Sequence, residues 1–114
     1  QYVRKGDKLN TQFKKGILDL CILKAVKDQE MYGFEIIDKL SNLLDINENT
    51  IYPILRRLTD QRLFETYSKD SPLGAQRKYY KITKEGEQKL YSYMEDWDAF
   101  IKNVNYILKD EKDE

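Results

Sequence analysis

The stretch NENTIYPILRRL, residues 47–58, sets a proline inside what otherwise reads as an amphipathic helix. A proline in a helix interior costs roughly 3 kcal/mol, because it removes a backbone NH donor and its ring collides with the carbonyl four residues back. The helix is therefore expected to begin between Asn47 and Thr50. Pro53 then lies in or just after the first turn, where NH groups have no internal partner and its fixed φ suits the helix. Past that start, Ile51, Ile54, Leu55 and Leu58 repeat at i, i+3, i+4 and i+7 and mark one apolar face. At about 100° per residue, Asn49, Tyr52, Pro53, Arg56, Arg57 and Asp60 fall on the opposite side. The spacing thus predicts a short helix with a donor-rich outer face, able to read something anionic.

Upstream, Phe13, Ile17, Leu20 and Cys21, widened by Leu18, Ile22, Leu23 and Val26, predict a first helix over roughly 12–28. After the polar break at Lys27 to Glu30, Tyr32-Gly33 leads into a second helix carrying Phe34, Ile36, Ile37, Leu40 and Leu43 or Leu44. Only a few residues separate it from the proline helix, which gives two short helices joined by a tight turn, a helix-turn-helix arrangement. Beyond Arg62, aromatic and β-branched runs at Leu63 to Tyr67 and Arg77 to Ile82 flank a stretch bearing Pro72 and Gly74. That pattern predicts a β-hairpin whose long loop, 68–76, projects as a flexible tip. Tyr79 and Tyr80 must point to opposite faces of the strand, so at least one belongs to the core. Thr83 is placed to cap a final helix, with Gly86 in its first turn. Leu90, Met94, Trp97, Ile101, Val104 and Leu108 then step by four, three, four, three and four residues. Such a heptad seam, broadened by Tyr93, Phe100 and Ile107, predicts pairing with a second subunit, the alternative being a helix that packs back on its own domain. The all-charged tail from Asp110 to Glu114 is expected to be solvated.

The fold class expected from this order is α+β, mostly α, in a chain of single-domain size with one core. Its organisation divides into residues 1–83 and a C-terminal dimerisation helix with charged tail at 84–114. Twenty basic and twenty acidic residues cancel overall, so the distribution carries the information. Residues 47–84 hold eight basic against four acidic groups, whereas 85–114 hold four against nine. Arg4, Lys5, Lys8, Lys14 and Lys15 add a basic cluster at the start.

The single Cys21 excludes an internal disulfide and is expected in the core, as in a protein of the reducing cytoplasm. No apolar run approaches the roughly 20 residues of a membrane span, and the basic opening lacks the apolar stretch of a signal peptide. A cytoplasmic location without membrane contact is the expectation. Because the sequence opens on Gln1 rather than Met, its start is expected to be trimmed or altered. With no histidine and one cysteine, a zinc site of the usual type and a Ser-His-Asp or Cys-His arrangement are excluded. Five scattered glycines form no phosphate-binding loop. The sequence predicts no enzyme, no metal and no cofactor.

Four segments, FKKGILDLCIL, YGFEI, TIYPILRRL and RKYYKIT, occur in an order that resembles the PadR family of bacterial transcription regulators. With the last helix, the resemblance spans about residues 13–108. It implies a winged helix-turn-helix domain with a long C-terminal dimerisation helix. It further implies a homodimer that binds double-stranded operator DNA, usually as a ligand-responsive repressor. One departure is the compact Ser41 to Asn47 connection, where many relatives have a longer one that contains glycine. In such a fold the second helix of the motif enters the major groove with its N-terminal residues toward the bases, while phosphate contacts hold the register. The candidates for base edges or phosphates are Asn49, Thr50 and Tyr52, with Arg56 and Arg57 for phosphate or guanine. Arg77 and Lys78 would meet the backbone beside the wing, and Lys14 and Lys15 the flanking phosphates. Taken singly, each basic residue reads as a solvated surface charge; their grouping is what points to DNA.

Trp97 reads either as interface packing or, with Met94, Phe100 and Ile101, as one wall of an effector pocket for a flat aromatic or phenolic molecule. The alternative function is a winged-helix protein–protein interaction module that does not bind DNA.

Overall fold

A computed structural model of the chain describes residues 16–110. Helix α1 occupies 16–28 of these, so its expected start at residue 12 lies outside the described part. It is followed by β1 (Met31–Tyr32), α2 (Gly33–Leu44), α3 (Glu48–Asp60), β2 (Phe64–Asp70), β3 (Gln76–Ile82) and α4 (Lys84–Leu108). The three strands form one antiparallel sheet in the order β1-β3-β2. The architecture is the winged helix-turn-helix expected, mostly helical and with a long last helix.

Each helix of the motif closes by local chemistry. The α2 start is held by Glu35, whose carboxylate accepts from the Tyr32 NH at 3.2 Å. Its end needs a left-handed residue, a role most often filled by glycine; Asp45 takes it at φ 54°, and its NH donates to the Ser41 carbonyl at 3.1 Å. This explains how the connection stays compact without glycine. Two residues later the Asn47 side chain accepts from the Asn49 NH at 2.9 Å and starts α3.

That cap puts Pro53 at the sixth helical position, slightly deeper than the first turn. The Asn49 carbonyl, which the NH of residue 53 would meet in a regular helix, loses that donor. What offsets the loss is burial: Ile51, Ile54, Leu55 and Leu58 are all covered, each stabilising by about 1.5–3 kcal/mol against a cost of roughly 3. They meet Ile22, Leu23 and Val26 of α1, Ile36 and Leu40 of α2, Phe64 of β2, Tyr80 of β3 and Leu90 of α4 in one core.

The hairpin is longer in strand and shorter in loop than its sequence texture indicated. Ser68, Lys69 and Asp70 pair with Lys78, Arg77 and Gln76, leaving residues 71–75 as the turn. There the Ser71 NH donates to the Ala75 carbonyl and the Gly74 NH to the Ser71 carbonyl, both at 2.9 Å, with Gly74 at φ 93°. The tip is thus a hydrogen-bonded turn rather than a loose loop. Strand β1, two residues long, was not foreseen, because two residues establish no period.

Thr83 caps α4 as expected, accepting from the Gly86 NH at 2.9 Å. Gly86 and Leu90 are buried with the rest of the core, so the division after Thr83 separates elements rather than cores. Cys21 is half-buried at the margin of that core rather than inside it, and partial burial pushes its thiol pKa up. No helix among the described residues is long and apolar enough to cross a membrane.

Candidate nucleic-acid interface

Between α3, the start of α2 and the wing lies a cavity of about 460 Å³. Four residues singled out from the sequence line it together: Tyr52 and Arg56 from α3, Arg77 and Lys78 from β3. The proline helix and the wing strand, separated in the chain by β2 and its turn, thus share one concave face with three cationic groups; Asp60 is the acidic residue on its wall. Its floor is Tyr80, whose phenol pKa is raised chiefly by burial, with Arg56 pulling the other way. Asn49 and Thr50 are exposed on the first turn of the same helix, outside the cavity itself.

Arg57 does not join them. Its guanidinium turns inward and donates to both carboxylate oxygens of Asp19 on α1, at 2.7 and 3.0 Å, and this pairing raises its pKa. The Asp19 side chain is only 7% exposed, so the arginine neutralises a buried carboxylate instead of waiting for a phosphate. Adjacent arginines on one helix diverge by about 100°, and here that rotation separates an exposed cation from a clamp. Lys14 and Lys15 lie outside the described residues.

Other residues of this face carry little mark of it in the sequence. Tyr32, Gly33, Phe34, Thr59 and Thr66 complete its lining. They come from separate segments: β1 pairing with β3 sets Tyr32 opposite Tyr79, and β2 pairing with β3 sets Thr66 opposite Tyr80. The YGFEI motif was the one available signal for the first three.

On the other side of the molecule, Met94 and Trp97 of α4 face Leu20, Cys21, Leu40 and Leu43 across a largely apolar cavity of about 370 Å³. Trp97 and Phe100 also border a neighbouring hollow of about 360 Å³ with Ile17 and Tyr93. Ile101 lines neither. Along the expected seam, Leu90 proves to be fully buried in its own chain, because the first turns of α4 pack on the core; it is not available to a second subunit. Trp97, Ile101 and Val104 are half-buried, Met94 is 36% exposed and Leu108 is 73% exposed.

Residues 22–92 match the family model described as the transcriptional regulator PadR-like family. An uncharacterised protein of Lysinibacillus sphaericus is 34% identical over 94 residues, which cover 79% of this chain and 85% of that one. Among solved structures, a PadR-like transcriptional regulator from Bacillus cereus superposes with a TM-score of 0.80 at 37% identity, covering 88% of this chain and 99% of the other. A Streptococcus transcriptional regulator reaches the same TM-score at 32% identity, covering 86% and 98%. The same order of helices, sheet and long last helix, carried on a sequence this similar, makes the chain a member of the PadR-like family of transcriptional regulators, and not an enzyme.

Proposed function

We propose that the chain is a dimeric, ligand-responsive repressor that binds double-stranded operator DNA through the outer face of α3 and the wing. The observation that carries this reading is the shared concave face of Tyr52, Arg56, Arg77 and Lys78. Arg56 and Lys78 supply charge to phosphates or guanine edges, Tyr52 offers a phenol OH, and Asn49 and Thr50 stand where the helix end would approach bases. The distal part of α4, with Ile101, Val104 and Leu108, joins a second copy; two-fold symmetry then sets two α3 helices about one DNA turn, roughly 34 Å, apart. An aromatic effector would enter beside Trp97 and Met94, where a flat ring can stack on the indole. Location in the cytoplasm follows from that role.

The test is binding to the DNA upstream of the protein's own gene, followed by fluorescence anisotropy. Affinity should fall on the order of a thousandfold between 50 and 200 mM salt for a dimer touching several phosphates. The double variant Tyr52→Ala with Arg56→Ala should abolish the complex yet sediment as a dimer. A variant that binds like the parent, or a parent that stays monomeric at micromolar concentration, would overturn the proposal. Trp97, the single tryptophan, reports the effector: aromatic ligands should change its emission and weaken the DNA complex.

A further inference from the structure

Lys69 and Arg77 stand directly opposite each other on neighbouring strands of the wing. Like charges in that relation destabilise a sheet. Here each leans on a tyrosine of the sheet: Lys69 lies 5.1 Å from the Tyr79 ring centre, and Arg77 lies 4.5 Å from that of Tyr32. Tyr32 itself packs among neighbours. Its ring centre is 5.5 Å from Tyr79 and 6.4 Å from Phe34, and its NH donates to Glu35. The guanidinium of Arg77 is therefore seated before any ligand arrives.

The next residue does the corresponding thing for α3. Gly33 is buried at the start of α2, and a Cβ there would come within 3.1 Å of Tyr52 Cε1 and 3.3 Å of its hydroxyl oxygen. The missing side chain is the space in which the Tyr52 ring lies. Tyr52 nonetheless remains 41% exposed, so it is held from below while its upper side stays open to solvent.

We propose that Tyr32 and Gly33 are positioning residues for DNA recognition, Gly33 seating the Tyr52 phenol and Tyr32 seating the Arg77 guanidinium. One dipeptide at the β1–α2 junction then sets the distance between the helix contact and the wing contact. Neither residue need touch DNA. This rests on the DNA-binding reading above and adds to it the reason why the two contacts arrive pre-arranged; ordering them beforehand lowers the entropy cost of binding.

The experiment measures affinity and its salt dependence for the full chain on its operator fragment, with melting temperature recorded for every variant. Tyr32→Phe keeps the ring and should bind like the parent. Tyr32→Leu should lose about tenfold and lower the salt slope by about one, and should add nothing further in an Arg77→Ala background. Gly33→Ala should weaken binding a few-fold and Gly33→Val about tenfold, both penalties vanishing when Tyr52→Ala removes the ring that a Cβ would displace. Should the larger variants fail to fold, Gly33→Ala with its Tyr52→Ala cycle still decides. Penalties that simply add, or a salt slope unmoved by Tyr32→Leu, overturn this inference while leaving DNA binding in place. A parent protein that does not bind the fragment overturns both.

Discussion

Around α3 the apolar face is covered by the chain's own elements, whereas along α4, among the described residues, complete cover stops at Leu90, and Tyr106, Ile107 and Leu108 are 80%, 76% and 73% exposed. The two helices have similar kinds of apolar pattern and opposite outcomes. A stripe satisfied from within its own chain contributes to the stability of a single copy. A stripe left open contributes only when something comes to cover it, and its effect then depends on concentration. Sequence periodicity registers both in the same way. The difference between them should appear in how each region responds to substitution.

The largest response is expected at the ion pair beneath α3. Arg57→Leu leaves the Asp19 carboxylate, 5% exposed as a residue, without its partner. Breaking a buried pair costs about 3–5 kcal/mol; the lower end applies here, because the Arg57 side chain, 31% exposed, still reaches solvent. The melting temperature should fall by more than about 10 °C in a scanning experiment. Tyr106→Ala, in the open part of α4 where the side chain is 80% exposed, should stay within about 0.5 kcal/mol of the parent. Equal losses at both sites would erase the contrast. Replacing both partners with apolar side chains should recover much of the loss, since the pair is costly chiefly when halved.

A smaller response is expected where the two regions meet. The Thr83 NH donates to the Leu63 carbonyl at 3.0 Å, and the Thr83 hydroxyl reaches the Arg62 carbonyl at 2.8 Å, so the first turn of α4 is tied to the base of the wing. Gly86 makes that approach possible: a Cβ there would stand 2.2 Å from the Leu63 carbonyl oxygen and 2.6 Å from Ile82 Cγ1. Gly86→Ala would add about 1 kcal/mol of helix preference and cost about 2–3 kcal/mol in overpacking, the upper end because the obstacle is backbone. We expect a net loss of about 1–2 kcal/mol, read as a lower urea midpoint with an unchanged slope. A neutral or stabilising outcome would mean the joint has room that the geometry denies.

How much of this was legible beforehand depended on range. The start of α3 followed from Pro53, because a proline is tolerated near a helix N-terminus and costly further in. The wing followed from its aromatic runs, and the grouping of Tyr52, Arg56, Arg77 and Lys78 from residue type and motif order. What stayed hidden was set by distant partners. Nothing within a window around Arg57 reveals Asp19, thirty-eight positions away, so Arg56 and Arg57 looked alike. Leu90 looked like its neighbours in the heptad because periodicity gives a face and not the identity of what covers it. Tyr32 and Gly33 were visible as a motif, but their effect on Tyr52 and Arg77 needs the register of β1 against β3.

The smallest response tests whether self-completion extends to the edge of the first region. There the Tyr67 hydroxyl donates to Glu30 Oε1 at 2.6 Å, joining the wing to the segment before β1, and its ring stacks on Tyr79 at 5.5 Å. The hydrogen bond to Glu30, helped by partial desolvation and by the carboxylate's charge, pushes the phenol up to about 12 from an ordinary value of 10.0. A phenol with a raised folded value supports the fold fully below its unfolded pKa and loses that support as pH climbs through the folded one. The window is therefore about pH 10 to 12, with stability falling as pH rises across it. An ultraviolet titration should show a phenol ionising at about pH 12, and Tyr67→Phe should remove that step, leaving the burial-delayed Tyr80, with neutral-pH stability almost unchanged, since exposed pairs contribute little. If that step survives in Tyr67→Phe, the wing is not tied to Glu30 in solution, and the self-contained part of the molecule ends at Tyr79 instead.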